Sequence, residues 1–276
     1  MKIFLLLTSV LLTSCSQIFP APTSTSVPPT ETALQTPSPT ISPDPTATRI
    51  APPASQSPLS TPSNPNALTI TASDGAQLAA MYYPPIVTPA PAVLLLHQNG
   101  GSKADWDSFA KQLQKMGYAA LALDLRGHGA SPRPVDWAKG PDDARSAYNV
   151  MIKRPEVDSL RTAIVGASVG SNLALMVGAS EPKVSAVIAL SPGLDYLGVN
   201  PSSSMRNFAN RPALLVASQD DPYSFTSVKS LAQLAIAAEP KLLTNAGHGT
   251  EILTRDPTLS PSLMEWLNKY VRDLKS

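Results

Sequence analysis

Arg161-Thr162-Ala163-Ile164-Val165-Gly166-Ala167-Ser168-Val169-Gly170 decides the reading of this chain, because an apolar run enters a Gly-x-Ser-x-Gly turn and a helix-forming stretch leaves it. A strand that turns abruptly into a helix holds the central serine in strained backbone geometry, and side chains at the flanking glycines would collide across the turn. The pattern therefore predicts an activated serine, Ser168, standing at a sheet edge. A Gly/Ser-rich loop is the bland alternative, and the strand before and the helix after weigh against it. Beyond the turn, Gly170, Ala174 and Gly178 recur every four residues, which leaves one helix face nearly bare and able to lie close against a sheet.

Working outward, the elements alternate. Residues 67–72, Asp74-Gly75 and 77–83 read as an antiparallel hairpin with Asp-Gly in the turn. Residues 92–97, 118–123, 161–165, 184–190, 213–217 and 241–244 read as further strands, several of them apolar throughout, as strands covered on both faces are. Helices are expected near 105–116, 142–152, 168–179, 226–238 and 262–274. The alternation predicts an α/β fold: a mostly parallel sheet of about eight strands with helices on both faces and its site beyond the strand C-terminal ends.

The N-terminal quarter is different. Met1 to Cys15 holds one lysine, an apolar stretch from Ile3 to Leu12, and the ending Leu12-Thr13-Ser14-Cys15. It is too short to span a bilayer and reads as a secretion signal. Its ending resembles a bacterial lipobox, which implies cleavage before Cys15 and lipid attachment there. Cys15 is the sole cysteine, so no intramolecular disulfide is available, and a lipidation role fits it better than packing. An ordinary signal cut nearby is the alternative. Residues 16–65 contain 13 prolines, 18 serines or threonines and no glycine, with only Glu31, Asp44 and Arg49 charged. Such a stretch has too little apolar surface to offset chain ordering and is expected to be a disordered stalk rich in polyproline II, able to reach on the order of 150 Å. Residues 66–276 are long enough for one well-buried domain. The expected location is extracytoplasmic, lipid-anchored at a bacterial membrane surface.

The formal charge is +1 and no basic cluster occurs, which argues against a nucleic-acid partner. The three histidines are far apart, the domain has no cysteine, and no His-Glu-x-x-His spacing appears, so no metal site is expected.

Polar groups concentrate at the strand ends: His97-Gln98-Asn99-Gly100-Gly101, Asp124-Leu125-Arg126-Gly127-His128-Gly129, the Ser168 turn, Asp220-Asp221-Pro222, and Gly247-His248-Gly249. Ser, Asp, His in that chain order, with the serine turn, resembles the α/β-hydrolase family over essentially all of residues 66–276. His97 to Gly101 is similar to the family's His-Gly-x-Gly oxyanion loop, with Gln98 standing where glycine is usual. Asp124 to Gly129 resembles its structural Asp-x-Arg-Gly-x-Gly segment. The resemblance implies a serine esterase without cofactor, in which Ser168 attacks, His248 accepts the proton and Asp221 orients the imidazole. Backbone N–H groups of Val169 and Asn99 would hold the oxyanion.

Rivals remain at several positions. Asp220 competes with Asp221, which is preferred because the family commonly places its acid just before such a proline. Asp195 is a weaker third candidate. His97 is expected to brace the oxyanion loop, and His128 to be structural or pocket-lining. Residues 193–211 form the only candidate lid, short enough to suggest an open site, with Tyr196, Leu197, Met205 and Phe208 as candidate lining for a short or medium acyl group. A serine peptidase of the same fold and a noncatalytic surface-binding module are the other function classes. An aspartate in place of Ser168 would have indicated dehalogenase or epoxide hydrolase chemistry, and a cysteine a dienelactone-hydrolase-like enzyme.

Overall fold

The computed structural model describes residues 64–273 apart from 133 and 209. The signal segment 1–15 with Cys15, and nearly all of the proline-rich stretch 16–65, lie outside the described residues. Among the described residues no helix is long and apolar enough to cross a membrane.

Eight strands form one sheet: β1 (Ala67–Thr71), β2 (Gln77–Tyr83), β3 (Ala90–Leu96), β4 (Ala119–Leu123), β5 (Val157–Ala167), β6 (Val184–Leu190), β7 (Ala213–Ser218) and β8 (Ala238–Leu243). Their order is β1-β2-β4-β3-β5-β6-β7-β8, with β1–β2 and β2–β4 antiparallel and every other pairing parallel. The opening hairpin turns at Asp74-Gly75, as its sequence predicts: Gly75 takes φ +83° and the Asp74 side chain accepts the Ala76 N–H. The apolar runs become the central strands. Every residue of β3, β4 and β7 is buried, whereas the edge strand β8, which carries Pro240, is mixed.

Helices cover both faces. Alternation along β3 sends Ala92, Leu94 and Leu96 to one side and Val93 and Leu95 to the other. The first side packs against α2 (Gly140–Ile152), α3 (Val169–Ser180) and α5 (Pro222–Ala232), and the second against α1 (Asp107–Lys115) and α7 (Leu259–Leu267). Two short helices, α4 (Ser202–Arg206) and α6 (Ile252–Arg255), lie in connections that the sequence pattern leaves as loops. The chain leaves β3 for β4 on one side, then crosses back to β5 on the other. The ends of β3 and β5 are thus a switch point, where such sheets open a crevice.

Candidate active site

The serine turn sits at that switch point. β5 delivers Ser168 with φ +53° and ψ −123°, one of four described non-glycine residues at positive φ, and α3 starts at the next residue. The local sequence explains why the chain accepts this strain. A Cβ on Gly166 would collide with the Gly170 carbonyl, and one on Gly170 would collide with the Leu96 and His97 carbonyls at the end of β3. Both glycines are therefore needed for α3 to lie against the sheet. Gly178 plays the same part further along, where a Cβ would meet Val187 at 2.5 Å. The Val169 N–H, first in α3, is among the donors that a helix start leaves without an intrahelical acceptor.

Two other strand ends bring a histidine and a carboxylate together. After β7, Asp221 is the N-cap of α5: its Oδ1 accepts the Ser224 N–H at 3.3 Å, and its Oδ2 lies 2.6 Å from His248 Nδ1. That contact leaves Nε2 as the imidazole nitrogen free to take a proton. Asp220, its neighbour, serves a different loop. It accepts the Gly247 N–H at 3.1 Å and the Ser218 hydroxyl, and these hydrogen bonds, the Ser218 one foremost, hold its carboxyl below the usual range. Of the two adjacent aspartates, only Asp221 meets the imidazole. Asp195 faces elsewhere, accepting the Gly198 N–H at 2.9 Å.

The loop carrying His248 is strapped down by side chains from other strand ends. Ser218 accepts the Ala246 N–H at 2.8 Å, Ser191 accepts the Gly249 N–H at 2.9 Å, and Gln98 accepts the Thr250 N–H at 2.9 Å. Positive φ at Gly247 (+81°) and Gly249 (+61°) lets the chain make the bend, leaving the His248 side chain 39 % exposed. Tyr196 lies beside the histidine: its ring is edge-on to the His248 ring at 6.1 Å between centroids. Burial raises the Tyr196 phenol to about 12, so it stays a neutral hydrogen-bonding group, paired with Ser224 Oγ at 2.7 Å.

The loop after β3 is fixed by the other two histidines. His97 is fully buried, and its Nε2 accepts the Leu125 N–H at 2.9 Å, so Nδ1 carries the proton and donates to the Gln98 carbonyl at 2.7 Å. His128 bridges the Arg126 carbonyl at 3.0 Å and the Asn99 side chain at 3.1 Å. The Asp-x-Arg-Gly-x-Gly segment is structural in the same sense. Asp124 accepts the Lys103 and Ala130 N–H groups at 2.7 and 2.8 Å, and Arg126 pairs with Asp143 at 2.6 Å and Asp74 at 2.8 Å. That arginine ties the first hairpin to α2.

Burial holds His97 below its ordinary pKa, which has a consequence for stability. The unfolded chain binds a proton here at a pH where the native one does not. Its contribution is thus fully present above about pH 6.5 and is lost as pH falls through the lowered native value. The urea midpoint is expected to drop between pH 7 and pH 5, this site adding a slope of at most about 1.4 kcal/mol per pH unit. Replacing His97 with Gln is expected to lower stability at pH 8 and flatten that slope. An unchanged slope would remove His97 as its source.

One expectation needs correction. Met205 and Phe208 are fully buried in the core, Phe208 against Gly178, and line no open pocket. The segment 193–211 is packed down rather than raised as a cap: Asn172 donates to the Val199 carbonyl at 2.7 Å, and Arg211 donates to the carbonyls of Gly178, Ala179, Glu181 and Val184. Tyr196 stays beside the site, and Leu197 is 54 % exposed. What the sequence reading missed is the role of Gln98, Ser191, Ser218 and Ser224. Single serines and a glutamine in loops carry no spacing signal.

Residues 91–228, half of the chain, match the family described as the alpha/beta hydrolase fold. The chain belongs to that family. Among curated proteins it is 28 % identical over 194 residues to an uncharacterized protein of Mycobacterium tuberculosis (strain ATCC 25618 / H37Rv), covering 63 % of this chain and 68 % of that one. It is 32 % identical over 143 residues to Esterase FrsA of Yersinia pestis (strain Pestoides F), covering 49 % of this chain and 34 % of the esterase. The chain thus spans about a third of that esterase's length. Among solved structures it superposes on Est1E from Butyrivibrio proteoclasticus with bound ferulic acid (TM-score 0.65, 16 % identity, 75 % of this chain and 100 % of that one). It is equally similar to a dienelactone hydrolase from Anabaena variabilis (TM-score 0.64, 20 % identity, 74 % and 97 %). At these identities the structural likeness concerns the fold.

Proposed function

We propose that this chain is a serine hydrolase cleaving carboxylic esters of short to medium acyl groups through an acyl-enzyme. The observation that carries the reading is that a strained serine and the loop of an aspartate-paired histidine meet at the end of β6, where the Leu190 carbonyl accepts the Ser168 N–H at 2.8 Å and the Ser191 hydroxyl accepts the Gly249 N–H at 2.9 Å. Ser168 Oγ attacks the ester carbonyl and passes its proton to His248 Nε2, while Asp221 holds the Nδ1–H side and stabilises the imidazolium. The N–H groups of Val169 and Asn99 receive the oxyanion, each such donor being worth about 3 kcal/mol in the transition state. The C–O bond then breaks, the alcohol leaves with the proton held on His248, and water deprotonated by the same imidazole releases the acid. No cofactor enters.

The esterase relative of Yersinia supports ester cleavage over other uses of the fold. The packed-down segment supports short acyl groups, since with Met205 and Phe208 in the core only Tyr196 and Leu197 of the four candidate lining residues remain for the acyl chain. The test is labelling with a serine-directed fluorophosphonate, together with turnover of p-nitrophenyl acetate, butyrate and palmitate. Stoichiometric modification at Ser168, lost in Ser168→Ala and greatly slowed in His248→Ala, is expected, with the palmitate slowest. Equal labelling of Ser168→Ala would end the reading, and a palmitate preference would end its acyl-length part.

The same proposal places the enzyme on a bacterial membrane surface through lipid on Cys15, the support being the Leu-Thr-Ser-Cys ending and the proline-rich stretch after it. Incorporation of labelled palmitate into the wild-type chain but not into Cys15→Ser is the expected result.

A further inference from the structure

Gln98 stands where the family pattern carries glycine, on the loop whose N–H faces the developing oxyanion. Its side chain crosses to a different loop. Oε1 accepts the Thr250 N–H at 2.9 Å and the Thr250 hydroxyl at 3.2 Å, across 152 residues of sequence. The same oxygen packs against Gly249, where any Cβ would collide with it. Its main chain is fixed as well: the carbonyl accepts His97 Nδ1–H at 2.7 Å and the Gly101 N–H at 3.0 Å. A trans peptide directs its N–H opposite to its C=O, so pinning the Gln98 carbonyl also fixes the direction of the Asn99 N–H.

We propose that Gln98 is a positioning residue that registers the His248 loop against the oxyanion loop, a role that rests on the reading of His248 and Asn99 given above. One residue aims an oxyanion donor with its main chain and grips the second residue past the general base with its side chain. The remaining side-chain acceptors on residues 246–249, namely Ser218, Asp220, Asp221 and Ser191, come from the ends of β7 and β6. Among the described residues, Gln98 is the side-chain acceptor that holds this loop from the β3 side. Proton acceptor and oxyanion donors act on one tetrahedral centre, and a misplacement of about 1 Å between such groups can cost about 100-fold in rate. With glycine at 98 the Thr250 N–H would turn to water, and the imidazole would be held from one side only. Gln98 acts through other groups and touches no reacting atom.

The test uses the full chain. Gln98→Ala and Gln98→Gly are expected to lower kcat on p-nitrophenyl acetate by about 10- to 100-fold with KM changed less than about twofold. Gln98→Glu keeps an acceptor oxygen for Thr250 and is expected to recover kcat to within about fivefold of wild type at pH 8. Thr250→Val, which loses the hydroxyl but keeps the N–H, is expected to lose less than Gln98→Ala. Amide hydrogen exchange at Thr250 gives a readout independent of turnover, faster in the Ala and Gly variants and slowed again in Glu. An unchanged kcat in folded Gln98→Ala would overturn the proposal. So would a KM rise at constant kcat, which would place Gln98 on the substrate, or unaltered exchange at Thr250. Should the Ala and Gly variants fail to fold, Glu and Thr250→Val carry the same comparison. If the wild-type chain hydrolyses no ester, the esterase reading fails by itself, and exchange at Thr250 still decides whether Gln98 holds the loop.

Discussion

Replacing Ser168 with glycine is expected to abolish ester turnover, lowering kcat by roughly 10⁶-fold, while raising the melting temperature by a few degrees. The first effect follows from removing the proposed nucleophile: loss of the serine in a serine hydrolase leaves only the modest acceleration that binding and oxyanion donors provide. The second follows from backbone geometry. At φ +53° and ψ −123°, a residue with a Cβ carries a strain of about 1–3 kcal/mol that glycine does not. Glycine costs part of that gain, about 0.5–1 kcal/mol, through the freedom it adds to the unfolded chain. A net gain of about 1 kcal/mol corresponds to about 2–4 °C in a domain of this size. Ser168→Ala, which keeps the Cβ and the strain, is expected to be equally inactive without the thermal gain. Calorimetry beside ester kinetics separates the two effects. Wild-type turnover in Ser168→Gly would dismiss Ser168 as nucleophile, and a lower melting temperature would dismiss the strain argument.

The strain also marks how far local sequence reaches. The apolar interiors of β3, β4, β6 and β7 are legible because a strand covered on both faces needs no polar residue. The serine turn is legible because its two glycines answer to backbone contacts within a few residues of each other or at the next strand end. β5 starts four residues earlier than its apolar run, at Val157, because its polar beginning, with Asp158 and Arg161 paired at 2.7 Å, adds nothing to the hydrophobic pattern. α5 spans 222–232 rather than the expected 226–238. Asp221-Pro222, read as loop, is an N-cap followed by proline at the first helical position, a start signal in its own right. Met205 and Phe208 show the converse limit. An apolar side chain in a connecting segment serves a core and a pocket equally well, and only the packing of α4 against α3 separates these outcomes. Gln98 was invisible as a brace because its partner lies 152 residues away.

The adjacent aspartates provide the sharpest separation by experiment. Asp221→Asn is expected to lower kcat by about 10⁴-fold, since a neutral amide neither stabilises the imidazolium nor enforces the tautomer that presents a basic Nε2 to Ser168. Stability should change little, because asparagine caps a helix about as well as aspartate does, so the Ser224 N–H at the start of α5 keeps its acceptor. Asp220→Asn should behave in the opposite sense. Its Oδ1 accepts from Ser218 and Gly247 and its Oδ2 from Gly247 beside Arg255, and an amide keeps the first oxygen but loses the second together with the charge, so the His248 loop loosens while the imidazole keeps its own carboxylate. A loss in kcat of less than about tenfold is expected there. The hydrogen bonds that lower the Asp220 pKa make its share of stability present above the ordinary carboxylate pKa and lost as pH falls through the lowered one, so the Asn variant should show a shallower acid denaturation limb. Steady-state kinetics and acid titration of both variants, run beside wild type, decide the matter. If Asp220→Asn proves the more damaging to kcat, the carboxylate behind the general base has been misassigned, and the 2.6 Å contact between Asp221 and His248 would then be structural.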